Sequence, residues 1–297
     1  MSETVPPIPV PIVQLECKLA EGPLWDVEKK LLYWTDIPKG VLYCFDPATG
    51  GVKQIYKGAQ VGGFVLDSEG SLILFRETDI AWLRDGQIVA IRPVHMAGAE
   101  RFNDVIAAPD GSVFAGTIGK TSESGGLYHF RVDGSAEQLV AGSGCGNGLG
   151  FSSDGQTLYW TCSTRKKIFA FDYKNGEVDV ASQRELYAAS EDEKIPDGMT
   201  VDADGNIWSA RWDGARLVKI SPSGERLQDI AFPRGRVSSV IFGGENLDVA
   251  YVTIAATKGE DVSRVGESVY KIDLGVTGIP EFRSRLSARH LEPLDLP

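Results

Sequence analysis

Apolar residues along the chain mostly alternate with polar ones, or form short runs rich in Val, Ile, Phe, Tyr and Trp. Each run is bounded by Gly, Asp, Pro or Ser, and the periodicity of an amphipathic helix is scarce. Alternation over about four to eight residues is typical of β-strands, and the bounding residues are typical of turns. The pattern therefore predicts an all-β chain built from short strands and hairpins.

A repeat of about 45 residues runs through this pattern. Its marker is a turn made of an acidic residue and a glycine, followed at once by an apolar strand. Four copies are clear, and their glycines lie 41, 44 and 50 residues apart: Glu69-Gly70, Asp110-Gly111, Asp154-Gly155 and Asp204-Gly205. Two weaker copies, at 28–30 and 243–246, bring the number of units to six. A fixed period of this length is typical of propellers and other repeat folds.

Each unit also contains a second hairpin, in which a Gly-containing turn joins two alternating segments. The first is VLYCFDPATGGVKQI at 41–55, and the last is SVYKIDLGVTGIPEF at 268–282. Four strands in each of six units predict a six-bladed β-propeller, with four-stranded antiparallel blades around a central channel. We expect a single domain over residues 1–297, with 1–11 as an extended N-terminal tail.

Two segments compete for the outermost strand of the last blade, which closes the ring. The segment 12–19 precedes the first inner strand, and the segment 279–285 (IPEFRSR) ends the last hairpin. The N-terminal segment is favoured, and the sequence alone leaves both open.

The charge balance excludes several classes of function. Lys and Arg number 30 against 41 Asp and Glu, which gives a net charge of −11. Nucleic-acid binding and polybasic membrane anchoring both need a basic surface, so neither is expected. No apolar stretch is long enough to span a bilayer.

The cysteines and the N-terminal sequence indicate in which cellular compartment the protein is expected. Four cysteines lie far apart, with no CxxC spacing and no neighbouring histidine, so free thiols are expected rather than a zinc cluster: Cys17, Cys44, Cys145 and Cys162. The N-terminal sequence has no basic region and no long apolar core, so it does not read as a secretory signal. These features predict a cytoplasmic protein, and we expect a monomer or a weak homodimer.

The first strand of each propeller blade lines the channel, so equivalent positions of different blades meet near one point. The position eight residues before each marker glycine, with its equivalents in the weaker units, gives six candidates: Glu21, Gly62, Asn103, Asn147, Asp197 and Ser238. Carboxylates this close repel each other unless a cation or protons intervene. Two carboxylates with amide oxygens form a hard cage for a divalent ion such as Ca²⁺ or Mg²⁺. The alternative is a set of ordinary turns around a water-filled plug.

Arg101 lies two residues before Asn103 and points to the same side of an extended strand. It is a candidate to hold an oxygen-rich or anionic substrate, with pairing to a channel carboxylate as the alternative. The histidines, His95, His129 and His290, neighbour no plausible nucleophilic serine, and no GxSxG motif occurs. A Ser-His-Asp hydrolase is therefore not expected.

Four segments resemble motifs of the SMP-30/gluconolactonase/LRE-like family, which includes regucalcin and bacterial sugar lactonases: EGPLWD at 21–26, RFNDV at 101–105, NGLGFSSDG at 147–155 and IPDGMTVDADGNIW at 195–208. The resemblance extends from about residue 16 to about residue 282, with matching order and spacing. It implies a six-bladed propeller, in agreement with the repeat count. It also implies a divalent metal held by Glu21, Asn147 and Asp197, substrate contacts from Arg101 and Asn103, and Asp197 as the general base.

The chain departs from the family pattern at two places. Some members carry an acidic residue just after the Gly-Thr of blade three that contacts sugar hydroxyls, whereas here Thr117 is followed by Ile118 and the first acid is Glu123. Many members have an Asp fifteen residues after the metal-binding Asn, where this chain has Cys162. The first departure leaves the substrate open, and the second is expected to alter the floor of the site. Cys145 is expected to be a spectator thiol.

These features predict a divalent-metal-dependent hydrolase that opens the ring of a sugar lactone to give an aldonic acid. Ca²⁺ is favoured by the ligand chemistry, with Zn²⁺, Mg²⁺ and Mn²⁺ as alternatives. In this hypothesis the cation polarises the ring carbonyl, Asp197 takes the proton of the attacking water, and Arg101 and Asn103 orient the substrate. Two other hypotheses stay open: an organophosphate or aryl-ester hydrolase of the same propeller type, and a non-enzymatic, metal-binding regulatory propeller.

Overall fold

A computed structural model describes residues 7–257 and 266–297 of the chain. Within these residues there are 25 strands and one 3₁₀ helix, Ile37–Lys39. The strands are, in chain order, β1 (Val10–Gln14), β2 (Ala20–Asp26), β3 (Leu31–Asp36), β4 (Val41–Asp46), β5 (Gly51–Lys57), β6 (Val61–Leu66), β7 (Leu72–Arg76), β8 (Asp79–Arg84), β9 (Gln87–Met96), β10 (Ala99–Ala107), β11 (Val113–Gly119), β12 (Gly126–Phe130), β13 (Ala136–Ala141), β14 (Gly146–Phe151), β15 (Thr157–Cys162), β16 (Lys167–Lys174), β17 (Glu177–Ala188), β18 (Ile195–Val201), β19 (Ile207–Trp212), β20 (Arg216–Ile220), β21 (Arg226–Ala231), β22 (Arg236–Gly243), β23 (Val249–Ala255), β24 (Glu267–Ile272) and β25 (Leu294–Leu296). In the described part of the chain, no helix has the length and apolar character needed to cross a membrane.

The strands form six sheets, and each sheet is one blade. Blades one to five consist of β2–β5, β6–β9, β10–β13, β14–β17 and β18–β21, each in chain order from the axis outward, and blade six consists of β22–β24 with β1 outermost. Neighbouring strands of these four-stranded units are antiparallel. The prediction of a six-bladed β-propeller is confirmed.

The N-terminal segment closes the ring. In β1, Val10 lies opposite Lys271 and Val13 lies opposite Val269 of β24. Pro11 is tolerated there because the strand is at the edge of its sheet, where one side needs no ladder hydrogen bonds. Of the predicted tail 1–11, residues 1–6 lie outside the described part of the chain, and β1 already begins at Val10.

The segment 279–285 is not the outer strand of blade six, so the second half of the hairpin predicted at 268–282 is wrong. Only β24 forms there, and Gly278 makes an isolated bridge to Asp202 of blade five instead. Farther on, Ser284 bridges Asp67 of blade two. With β1 already paired to β24, the C-terminal segment is left to run across the blades.

The chain ends in a strand that the sequence analysis missed. β25 adds in parallel to β9 and becomes a fifth strand of blade two, with Leu294 opposite Val94 and Leu296 opposite Met96. Leu296 is buried in the apolar core between blades two and three. Three residues are too few to show a periodicity, so only the tertiary pairing defines this strand.

The apolar core is a ring of six clusters, each between two neighbouring blades. One cluster joins blade six to blade one across the closure, through residues such as Trp34, Tyr251 and Val269. The other five join the successive pairs of blades. Each blade therefore buries both faces against its neighbours. The polar groups on the axis lie on the innermost strand of each blade.

The marker turns have the geometry that glycine allows. Their glycines have φ values of 85°, 86°, 67° and 85°, and each donates its backbone N–H to the carbonyl oxygen three residues earlier: Gly70, Gly111, Gly155 and Gly205. Positive φ of this kind carries no steric cost for glycine alone, which explains the repeated acidic-Gly signature. In the weaker unit of blade one the same role falls to Lys30, with φ 54°.

Every innermost strand contains a β-bulge at the axis. The register shifts lie in β2 between Glu21 and Leu24, in β6 between Val61 and Gly63, in β10 between Phe102 and Val105, in β14 between Asn147 and Leu149, in β18 between Pro196 and Met199, and in β22 between Val237 and Ser239. A bulge adds one residue to a strand and re-aims its side chain. The six positions predicted from the repeat all lie at or beside these bulges.

Candidate metal centre and active site

A cavity of about 350 Å³ lies on the propeller axis, between blades one, three, four and five. Its polar lining consists mainly of Glu21, Arg101, Asn103, Asn147, Ser163 and Asp197, and its apolar wall consists of Leu19, Ile37, Ile118, Ile195 and Trp212. The volume is in the range of small-molecule sites, roughly 300–1,000 Å³. Four of the six predicted axial residues therefore meet here.

The other two predicted positions do not line this cavity. Gly62 is packed so closely against blade three that a Cβ atom there would lie 2.0 Å from the carbonyl oxygen of Phe102. Ser238 is fully buried and donates its hydroxyl to the carbonyl oxygen of Ala20 over 2.6 Å. Both positions join neighbouring inner strands.

Asn147 has the arrangement expected of a metal ligand. Its amide nitrogen donates to Ser163 Oγ over 3.1 Å, and the Ser163 hydroxyl donates to the carbonyl oxygen of Pro196 over 2.7 Å. The amide is thereby fixed, and its Oδ1 is buried with no hydrogen-bond partner in the described part of the chain. Such an oxygen is costly unless something satisfies it, and a hard cation does so.

Two buried carboxylates accompany this oxygen. Glu21 and Asp197 are 5% and 4% exposed. Burial, followed by repulsion from Asp197 and Asp104, holds the pKa of Glu21 well above its usual range. Burial and the Asp104 carboxylate do the same to the pKa of Asp197. A divalent cation would relieve this repulsion, so the residues present fit the group that the sequence predicts.

Arg101 is fixed by Asn103. Its Nη1 donates to the Asn103 Oδ1 atom and to the carbonyl oxygen of Phe102, both over 2.8 Å. Asn103 in turn donates its amide nitrogen to the carbonyl oxygen of Gly146 over 3.1 Å. Within the described residues both hydrogen bonds of the Arg101 side chain come from Nη1, which leaves its Nε and Nη2 without an acceptor. The guanidinium therefore keeps donors for another group in the cavity.

Asp104 is the residue that the sequence analysis missed. Strand alternation places it on the side opposite Asn103, but the bulge in β10 covers both residues and removes that alternation. Its carboxylate acts electrostatically on both Glu21 and Asp197. The signal available in the sequence was the acidic residue of the RFND motif, directly after Asn103.

The two departures from the family pattern, at Cys162 and Ile118, lie in different surroundings. Cys162 is fully buried between blades three and four, and does not line the cavity, so the expectation that it alters the floor of the site is wrong. The next residue, Ser163, takes the place beside Asn147. Ile118 does line the cavity. Cys145 also lines it, and burial followed by Asp197 raises the pKa of its thiol to about 12.

Another group of candidate ligands lies away from the axis, at the outer strands of blades three and four. The ligand atoms of His129, Glu137 and Glu177 lie within 4.8 Å of one another. The Arg131 guanidinium already pairs with both carboxylates. His129 bonds Ser112 Oγ through Nε2 over 2.9 Å, and burial lowers its pKa to about 4. Arg131 thus already neutralises the two carboxylates of this group, and we assign no metal to it.

The fold and the cavity define a six-bladed propeller with an oxygen-rich site at its axis. The model of the SMP-30/gluconolactonase/LRE-like region matches residues 19–256. The chain belongs to this family, and the resemblance inferred from its motifs is confirmed.

Relatives match nearly the whole chain. The pentonolactonase XacC of Haloferax volcanii is 36% identical over 288 residues, which cover 92% of this chain and 97% of the relative. Regucalcin of Gallus gallus is 31% identical over 293 residues, which cover 91% and 98%. A solved structure of the calcium-binding protein regucalcin from Agrobacterium tumefaciens matches with a TM-score of 0.85 over 96% of this chain and 100% of that one; at 20% identity this shows the shared fold.

Proposed function

We propose that the protein hydrolyses the ring ester of a sugar lactone, with one divalent cation held by Glu21, Asn147 and Asp197. The observation that carries the proposal is the partnerless Oδ1 of Asn147 beside two buried carboxylates, in a cavity of small-molecule size. Membership of the gluconolactonase family and the pentonolactonase relative support the same reaction class. Ca²⁺ is the proposed cation because these ligand atoms are all oxygens, and a regucalcin of the same fold is a calcium-binding protein.

The residues of the cavity divide the chemistry between them. When bound, the cation would supply Lewis-acid polarisation of the lactone carbonyl. Asp197 takes a proton from the attacking water on a carboxylate oxygen, as the water oxygen bonds to the carbonyl carbon. The ring C–O bond then breaks, and the proton passes to the released ring oxygen to give the open hydroxy acid.

Arg101 and Asn103 have different parts in this proposal. The free donors of Arg101 bind the substrate and share the negative charge that develops on the carbonyl oxygen. Asn103 has both ends of its amide already bonded, so its main contribution is to hold Arg101 in place. Its direct contact with substrate, expected from the family resemblance, stays a prediction.

Removal of metal tests the proposal directly. The chelator-treated chain should show no turnover of aldono-1,4- and 1,5-lactones, and reloading with Ca²⁺, Mg²⁺, Mn²⁺ or Zn²⁺ one at a time should restore it, because the two repelling carboxylates need a counter-charge. Aryl esters and phosphotriesters are assayed in parallel. Faster turnover of either than of every lactone would overturn the assignment, as would metal binding without hydrolysis of any of them.

The apolar wall predicts a substrate preference. Leu19, Ile37, Ile118 and Ile195 offer no partner to a sugar hydroxyl, and a hydroxyl that loses water without gaining a partner is destabilised. A lactone with a methyl group in place of its terminal hydroxymethyl group should therefore have a kcat/KM about 10-fold higher than its parent. Ile118→Asp, which supplies an acceptor, should abolish that difference.

The matched control for this wall is Ile91→Asp, on an exposed position of β9 in blade two. It should leave the ratio of the two kcat/KM values unchanged. If the unaltered chain has equal kcat/KM values for the two lactones, the apolar wall does not determine the substrate preference.

The cellular context stays a prediction. A cytoplasmic location, a monomer or weak homodimer, and the lack of nucleic-acid or membrane partners rest on sequence features alone. The four cysteines are free thiols, as the sequence predicts.

A further inference from the structure

Ser163 lies between two of the proposed metal ligands without being one itself. It directly follows β15, is 7% exposed and lines the axial cavity. Its Oγ atom is 3.1 Å from Nδ2 of Asn147 in blade four and 2.7 Å from the carbonyl oxygen of Pro196 in blade five. Pro196 directly precedes Asp197, so one hydroxyl group connects the two chain segments that carry these ligands.

The hydrogen bonds of Ser163 can run in one direction alone. A backbone carbonyl oxygen accepts and never donates, so the single hydroxyl proton of Ser163 is committed to Pro196. Toward Asn147 the Ser163 oxygen then offers lone pairs, which the N–H end of the amide satisfies. The amide nitrogen also donates to Cys145 Sγ, a weak acceptor 3.7 Å away. The nitrogen of Asn147 is therefore turned toward Ser163, and its oxygen is turned away.

The orientation of the Asn147 amide determines whether this residue can bind a cation. The two ends of an asparagine amide have nearly the same size and shape, but the oxygen is the end that a hard cation takes. Oδ1 is buried and has no hydrogen-bond partner in the part of the chain that the structure describes. A flipped amide would turn its N–H groups toward the cation and would set its oxygen against the lone pairs of Ser163. The Ser163 hydroxyl therefore selects the end that binds.

Asn103 is oriented in the same way, by an acceptor in the next blade. Its Nδ2 atom donates to the carbonyl oxygen of Gly146 in blade four over 3.1 Å, which leaves Oδ1 to accept from Arg101 over 2.8 Å. In both asparagines a backbone carbonyl of the following blade fixes the nitrogen end of the amide. At Asn147 this effect passes through the side chain of Ser163, so a substitution can remove it.

We infer that Ser163 is a positioning residue of the proposed cation site. It holds Asn147 with Oδ1 toward the ion, and it ties that orientation to the backbone beside Asp197. The inference rests on the cation site of the proposed function. Residues that orient a metal ligand without touching the metal commonly change metal affinity by about 10- to 100-fold. The Ser163 hydroxyl should therefore determine how tightly Ca²⁺ binds.

The test measures Ca²⁺ affinity with and without the Ser163 hydroxyl in two backgrounds. Metal-stripped full-length chains are titrated with Ca²⁺ by isothermal titration calorimetry. Ser163→Ala alone should weaken the Kd about 10- to 100-fold, because either end of the Asn147 amide can then face the ion. In a chain that also carries Asn147→Asp, the same change should weaken the Kd less than about threefold, since both ends of a carboxylate are oxygens.

Further variants separate orientation from packing. Ser163→Thr keeps a hydroxyl group and should bring the Kd to within about threefold of the unaltered value. The matched control is Ser143→Ala, in the loop before β14, the strand of Asn147. Ser143 is 1% exposed, and its Oγ has no hydrogen-bond partner among the described residues, so this change should leave the Kd unaltered. If Ser163→Ala does not fold, Ser163→Cys serves instead and should weaken the Kd severalfold, because a thiol donates and accepts weakly.

The outcomes distinguish the role of Ser163 from the proposed reaction. Equal losses of Ca²⁺ affinity in the two backgrounds, or no loss in either, would overturn that role. A Ser163→Thr chain that binds Ca²⁺ no better than Ser163→Ala would overturn it too. The expected pattern of Kd values in a protein that hydrolyses no lactone would leave the role standing and reject the reaction alone. An unaltered chain that hydrolyses lactones but binds no Ca²⁺ would reject the role and leave the reaction standing.

Discussion

Asp197→Asn should lower kcat for lactone hydrolysis by about 10³-fold or more, with the fold unchanged. The substitution keeps the size of the side chain, but it removes the proposed general base and one charge from the cation site. It also removes one of two buried, mutually repelling carboxylates, so the Tm of the metal-free protein should be equal or higher. Steady-state kinetics with saturating Ca²⁺, far-UV circular dichroism and thermal unfolding measure these three outcomes.

The control for this variant is Asp204→Asn, on the exposed marker turn of the same blade. It makes the same chemical change seven residues away and should leave both kcat and Tm nearly unchanged. Turnover by Asp197→Asn within a few-fold of the unaltered chain would rule out both proposed roles of Asp197.

Arg211→Leu should lower the free energy of unfolding by about 3–5 kcal/mol. Arg211 and Glu193 are 0% and 1% exposed, and two guanidinium nitrogens donate to Glu193 Oε2 over 2.8 and 3.1 Å. Removal of the guanidinium takes away its two short contacts with the buried Glu193 carboxylate and leaves, among the described cations, only the 3.5 Å contact with Arg226, which costs far more than the loss of a surface pair. Urea unfolding at neutral pH measures the change.

The loss of stability in Arg211→Leu should depend on pH, and the pKa of Glu193 sets the direction of that dependence. Burial alone would raise the pKa of Glu193, but hydrogen bonds from Tyr187, Arg211 and Ser190 outweigh it and hold the pKa below the usual 4.5. A lowered pKa in the folded state adds stability that is present above about pH 4.5 and is lost as the pH falls through the folded value. The difference between Arg211→Leu and the unaltered chain should therefore shrink in acid.

An exposed pair provides the comparison for Arg211. Arg184 pairs with Asp172 on the outer surface of blade four, with side chains 48% and 66% exposed. Arg184→Leu should cost about 1 kcal/mol or less. Equal losses from the two variants would mean that the buried pair is not a special source of stability.

The repeat made most of the fold predictable from the sequence. Each acidic-Gly turn needs a residue with positive φ, so the same local chemistry recurs in blades two to five and reports the period. Counting from those glycines, and from the equivalent position of the weaker turn at 28–30, placed Glu21, Asn103, Asn147 and Asp197 together because each lies at the same bulge in its strand.

Features without a repeated local signal escaped prediction. β25 is three residues long and is defined only by its pairing with β9. Asp104 was missed because the bulge in β10 breaks the alternation that strand reasoning assumes. Glu281 was placed in a hairpin of blade six, whereas tertiary contacts of Gly278 and Ser284 carry that segment across the axis.

The closure of blade six has a consequence for how the chain matures on the ribosome. Val10 must find Lys271, about 260 residues later, so β1 is synthesised long before the strand with which it pairs. Blades one to five can assemble in order as they emerge, whereas the joint between blade six and blade one waits until β24 has been synthesised. Such a long-range pairing slows folding more than it lowers final stability, because the entropy of loop closure rises only slowly with length. Until then the apolar face of blade one that packs against blade six stays exposed. The nascent chain is therefore most prone to aggregate at that stage.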